Sequence, residues 1–154
     1  MLRLLGVMMF AGLLGAGCDA LFTGEKVARF PLTAETAGGY APLTITLGPD
    51  MNPVALNLQA EYAASTTEAG KWNSYHATLT KSGAPVATGD FRINNTSDPM
   101  SPTAQVVSRT MIVIEVKEVG DYELRIDALA PAAVTLGKPQ VELRRNIRRD
   151  VPPK

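Results

Sequence analysis

The stretch Val54-Ala-Leu-Asn-Leu-Gln-Ala-Glu-Tyr62 constrains this chain more than any other. Val54, Leu56, Leu58, Ala60 and Tyr62 fall on one side of an extended backbone, and Asn57, Gln59 and Glu61 fall on the other. A helix would scatter these positions around its circumference, whereas a strand sorts them into an apolar face and a wet one. Leu43-Thr-Ile-Thr-Leu47 repeats the pattern, as does Asp121-Tyr-Glu-Leu-Arg-Ile-Asp127. In the latter, Tyr122, Leu124 and Ile126 are expected inward, with Glu123, Arg125 and Asp127 outward.

Weaker alternation predicts further strands over 27–32, 74–81, 86–93, 108–117, 133–136 and 141–145. Pro31 lacks the donor a central strand needs, so the first strand belongs at an edge. Ser82-Gly83-Ala84 reads as a hairpin turn. Met111 to Ile114 is apolar on both faces, which predicts a central strand. Gly137-Lys138-Pro139 is expected to separate the last two strands, and Gly48 to Pro53 forms a proline-bounded corner. Asn94 to Pro99, running on to Pro102, is a polar loop.

No stretch after the first twenty residues has convincing helical periodicity. Thirteen glycines, eleven prolines and only 19% charged residues favour turns over long salt-laced helices. The expected fold is all-β: a two-sheet antiparallel β-sandwich, immunoglobulin-like or jelly-roll. Glu118-Val-Gly-Asp-Tyr-Glu-Leu124 resembles the tyrosine corner of immunoglobulin-like domains. That resemblance implies a Tyr122 hydroxyl bonded back to the corner's backbone. A plain tight turn before a strand with an inward Tyr is the alternative.

The first residues are of a different kind. Arg3 precedes an apolar run from Leu4 to Leu14, followed by small residues up to Cys18. This is the layout of a secretory signal. The run is shorter than the ~20 apolar residues a spanning helix needs. Leu13-Leu14-Gly15-Ala16-Gly17-Cys18 resembles the lipobox of bacterial lipoproteins, with Gly15 standing where that family prefers Leu. The resemblance implies a diacylglyceryl group on the Cys18 thiol, cleavage before Cys18 and acylation (palmitate, for example) of the new amine. An ordinary signal peptide would leave the chain's only cysteine idle, and lipidation is the favoured reading. Two or three acyl chains anchor stably where one is marginal.

The expected organisation is a signal peptide over 1–17, a lipidated tether over 18–25, the sandwich over 26–147 and a basic, proline-containing tail over 148–154. The expected location is a cell membrane, on its periplasmic or extracellular side. Asp19 resembles the inner-membrane retention signal of enterobacterial lipoproteins.

Function is thinly written. Fifteen basic and fifteen acidic residues exclude the cationic excess of a dedicated nucleic-acid binder. With one histidine, His76, and one committed cysteine, no transition-metal site is expected. His76 is expected on a wet strand face as an ordinary imidazole, and no Gly-x-Ser-x-Gly frames a nucleophile. Asp90, Glu115, Asp127 and Glu61 read as solvated acids and not as a glycosidase pair.

The binding candidates are therefore aromatic and loop residues. Tyr40 follows Gly38-Gly39, and Trp72 ends the polar loop before a strand. Trp72 either stacks on a sugar or caps the core, the core being favoured for the only Trp. Asp50, Asn52, Asn94 and Asp98 offer hard oxygen atoms to a structural calcium ion, although Asn and Asp are also the commonest turn formers. Arg144, Arg145, Arg148 and Arg149 are candidates for contact with membrane or partner, although completing the last strand and solubilising the end is the default reading. The leading expectation is a non-catalytic interaction or assembly module with an envelope protein partner and no cofactor beyond the lipid on Cys18. The alternative is a carbohydrate- or calcium-dependent ligand-binding module.

Overall fold

The computed structural model describes residues 24–36, 38–62, 67–96 and 105–147. Cys18, Asp19, Asp98, Arg148 and Arg149 lie outside them. Eight strands run in the order β1 (Glu25–Pro31), β2 (Gly39–Leu47), β3 (Val54–Tyr62), β4 (Trp72–Lys81), β5 (Ala84–Asn94), β6 (Gln105–Ile114), β7 (Gly120–Ala128) and β8 (Gly137–Arg145). They form two four-stranded sheets, β1-β8-β3-β6 and β2-β7-β4-β5, in which every pairing is antiparallel. The first strand pairs with the last and the second with the seventh. That is the winding of an eight-stranded jelly roll, not the strand order of an immunoglobulin domain.

The alternating side chains meet between the sheets. Leu56, Leu58, Val141 and Leu143 come from one sheet, and Ile45, Ala77, Leu79, Ile93, Leu124 and Ile126 from the other, all essentially inaccessible. Each buried Leu or Ile is worth about 1.5–3 kcal/mol relative to exposure.

Local chemistry fixes the connections. Ser82 and Gly83 both have positive φ, 49° and 80°, which makes the β4–β5 link a two-residue turn of the kind that matches strand twist. The Tyr122 hydroxyl donates to the Glu118 carbonyl at 2.8 Å, so the corner geometry is present on this jelly-roll frame. Lys81 covers the same ring from 5.1 Å.

Three expectations are corrected. Segment 133–136 is not a strand: the N–H groups of Ala133 and Val134 donate to the Asn73 side chain instead of to a neighbouring strand. Gly137-Lys138-Pro139 does not break the chain but opens β8, where a register shift against β3 and a positive φ at Lys138 absorb the irregularity. β6 is an edge strand, not a central one. Its register skips Met111 between Thr110 and Ile112, a bulge that turns two successive apolar side chains into the core. β1, with Pro31, is an edge as expected.

The sandwich has two distinct ends. Gly24, the 48–53 corner, the Ser82-Gly83 turn, the 115–119 loop and the exit after Arg145 share the near end. There Asn146 and Ile147 donate their N–H groups to Met51 and Pro53, and Arg144 donates to the Gly24 carbonyl at 3.1 Å. The connections at 32–38, 67–71, 95–96 and 129–136 share the far end, where Gly70 donates to Asn95 and Leu129 to Ser74.

Candidate functional site

The far end is organised by Asn73, the second residue of β4. Its inward side chain is buried, so its amide must find partners within the protein. The amide nitrogen donates to the Val134 carbonyl at 2.8 Å and to the Tyr75 hydroxyl at 3.1 Å. Its oxygen accepts the N–H of Ala133 at 2.8 Å and of Val134 at 2.9 Å. One side chain thereby substitutes for a strand partner and pins the β7–β8 connection. Glu68 secures the next residue, accepting the Thr135 N–H and hydroxyl at 2.9 and 2.7 Å. Those two bonds hold the Glu68 carboxyl below the usual range.

Beside this clamp lies a stack of rings. Tyr40 and Tyr75 have centroids 5.9 Å apart, and Tyr75 and Phe91 stack at 5.3 Å. Burial, and next the neighbouring Tyr75, push the Tyr40 phenol well above its ordinary pKa, so it stays neutral. Two adjoining hollows, of about 390 and 550 Å³, open over these groups and share Glu35, Gly38, Gly39, Asn73, Tyr75 and Ala132. Gly39 has φ +94°, and a Cβ there would collide with the Ile126 carbonyl, so glycine keeps this rim low. The arrangement offers a concave surface of small residues with tyrosine rings beneath it. That is a shape for holding a ligand or a partner's side chain.

The anticipated residues divide between places. Tyr40 forms part of this far-end floor and is buried. Trp72 does not cap the core: it stands on the outer face of β4, 49% exposed, with the Arg92 guanidinium 5.5 Å from its ring. Asn94, opposite Trp72 in the β4–β5 ladder, is exposed. Asp50 and Asn52 sit at the near end, away from Asn94 at the far end. Asn52 is engaged in structure, donating to the Val116 carbonyl and accepting the Val116 N–H, each at 2.7 Å. Among the described residues no three His, Cys, Asp or Glu side chains cluster as metal ligands.

His76 lies on the open outer face of β4 as expected, bonded through Nδ1 to Asp90 Oδ1 at 2.5 Å. Arg125 and Asp127 form a second ion pair there at 3.3 Å, and Asp127 is the cross-strand neighbour of His76. Water reaches all of these groups.

Arg144 and Arg145 are tied to the fold. Arg144 is 12% exposed and donates to Glu142 at 2.6 Å, and Arg145 donates to Glu25 at 2.8 Å. Glu142 itself, in the middle of β8, was not singled out by its sequence context. It is 1% exposed and also meets Arg29 at 3.2 Å and Lys26 at 3.6 Å. Burial alone would raise its pKa, but hydrogen bonds and charge from Arg144, Arg29 and Lys26 outweigh that and hold the carboxyl low. Its cross-strand neighbour Asn57 is outward-facing yet buried, with Oδ1 unpartnered.

Asn73 and Tyr75 were likewise missed as site residues. The only trace in the sequence is an inward polar residue at the start of an otherwise apolar stripe. No protein-family model matches the chain, and no curated protein matches it.

Proposed function

We propose that this is a lipid-anchored envelope lipoprotein whose β-sandwich serves as a non-catalytic interaction module, turning its far-end hollow toward an envelope partner. The observation that supports this reading is the polarity of the sandwich. The chain leads into β1 at one end, and the hollow over Tyr40, Tyr75 and Asn73 opens at the other. β8 runs the length between them, nine residues or roughly 27 Å. A module tethered at the near end presents the far end to whatever faces the membrane.

Two variants test the parts separately. Cys18→Ala removes the thiol that the lipid requires; the product is expected to lose its acyl mass and leave the membrane fraction. Ala132→Arg fills the shared rim of the hollow without touching the core, and is expected to abolish recovery of the partner that co-purifies with the wild-type chain. Retention of both behaviours in the variants overturns the reading.

The exposed Trp72 and its Arg92 neighbour favour a second reading, recognition of a carbohydrate. A flat aromatic face beside charged hydrogen-bonding groups suits a sugar ring. Titrating a glycan panel against Trp72 fluorescence, with and without calcium, tests it: a saturable change supports binding, and a flat response across the panel removes it.

A further inference from the structure

We propose that the near end of the sandwich rests on the bilayer surface, with Val86 and Val119 at headgroup level. This deepens the lipoprotein reading and rests on lipidation of Cys18.

The length of chain between anchor and fold carries the argument. From Cys18 to Gly24 is six residue steps, which reach at most about 20 Å. The strands are longer than that, roughly 27 Å from Gly137 to Arg145. An inverted domain would need its far end between the membrane and Gly24, and the tether is too short to allow it. Of the exposed large apolar residues, Leu129, Val106 and Trp72 belong to the far end, whereas Val27, Val86, Val113 and Val119 lie toward the near end, with Val119 the most exposed and at its tip.

The near end has a shape that fits this contact. Val119, at the tip of the β6–β7 loop, is 73% exposed, and Val86 on β5 is 45% exposed. The loop is held out rigidly: Lys81 donates to the Val119 carbonyl at 3.1 Å and pairs with Glu118 at 3.0 Å. Between the β4–β5 turn and this loop lies a groove of about 510 Å³, lined by Val86, Ile114, Tyr122 and the stems of Lys81 and Lys117. Apolar tips beside lysine stems match the boundary between acyl chains and headgroups. Lys81 and Lys117 are matched by Glu115 and Glu118 in the same groove, so within it apolar contact and not net charge suits the bilayer.

The full-length lipidated chain provides the test, because its only native thiol is consumed by the anchor. A fluorescent label is placed at Val119→Cys or, separately, at Leu129→Cys. The chain is reconstituted into phosphatidylethanolamine–phosphatidylglycerol vesicles carrying brominated lipids. Quenching several-fold stronger at position 119 than at 129 is the expected result. Equal quenching, or stronger quenching at 129, with the lipid confirmed by mass, overturns the orientation and leaves the anchor intact. An unacylated Cys18 in the same mass spectrum overturns both.

Discussion

Gly89 of β5 faces the Met111 carbonyl of β6 across the seam where the two sheets close, and a Cβ on the glycine would overlap that oxygen. The clash is with backbone, which cannot rotate aside as a side-chain tip could. The bulge that turns Met111 inward is on the β6 side of the same seam. Gly89→Ala is therefore expected to destabilise the domain by about 1–3 kcal/mol through overpacking, read as a lowered denaturant midpoint. Gly83→Ala is a useful contrast, since open space surrounds that position and only its φ of +80° resists the change.

Asn73 replaces a strand partner for Ala133 and Val134. Truncation to Ala leaves two backbone N–H groups and the Tyr75 hydroxyl without their present partner, at a cost of about 2–4 kcal/mol. Hydrogen exchange is expected to accelerate at residues 131–136 well beyond any change in β3 or β8. Uniform acceleration across the domain would show that Asn73 supports the whole fold and not this connection.

Glu142 makes stability depend on pH in a defined direction. Its folded pKa lies below the ordinary glutamate value of about 4.3. The unfolded chain thus takes up a proton before the folded one does. The contribution is complete above about pH 5 and fades as pH falls through the folded pKa. Glu142→Gln is expected to cost about 2–3 kcal/mol near neutrality, because it removes the charge that Arg144, Arg29 and Lys26 share. The deficit against wild type should shrink as both are titrated toward pH 3. A deficit that stays constant with pH would assign the loss to packing.

Trp72 is the sharpest disagreement between sequence and structure at a single residue. A core Trp replaced by Ala costs about 3–5 kcal/mol. A half-exposed one over Arg92 is expected to cost about 1 kcal/mol or less. Its emission should be that of a wet indole, and iodide should quench it readily. A blue-shifted, unquenched signal would restore the core role.

The strands were legible because period-two alternation survives in most of them; β3 has the same bounds in both readings. What escaped the sequence depends on contacts between distant segments. Met111 to Ile114 reads as doubly buried, but a bulge can bury two neighbours on one face of an edge strand, and nothing local announces it. Glu142 sits in a run that looks wet and basic, although Arg29 arrives from 113 residues away to cover it. The Asn73 clamp joins residues about sixty apart, so Ala133 to Leu136 looks like a strand until its donors are followed. The scarcity of tryptophan points Trp72 inward, while strand parity puts it on the face shared with His76. The tyrosine corner was legible because its bond spans only four residues.

The position of β8 has a consequence for how such a domain matures. β1 is hydrogen-bonded to no other strand, and β8 lies between β1 and β3. The first strand synthesised therefore waits, unpaired, for the last. Until residues 137–145 are in place, that sheet lacks the strand that joins its two parts. Closing it pairs Glu25 with Arg145 from 120 positions away, the kind of non-local contact that forms slowly.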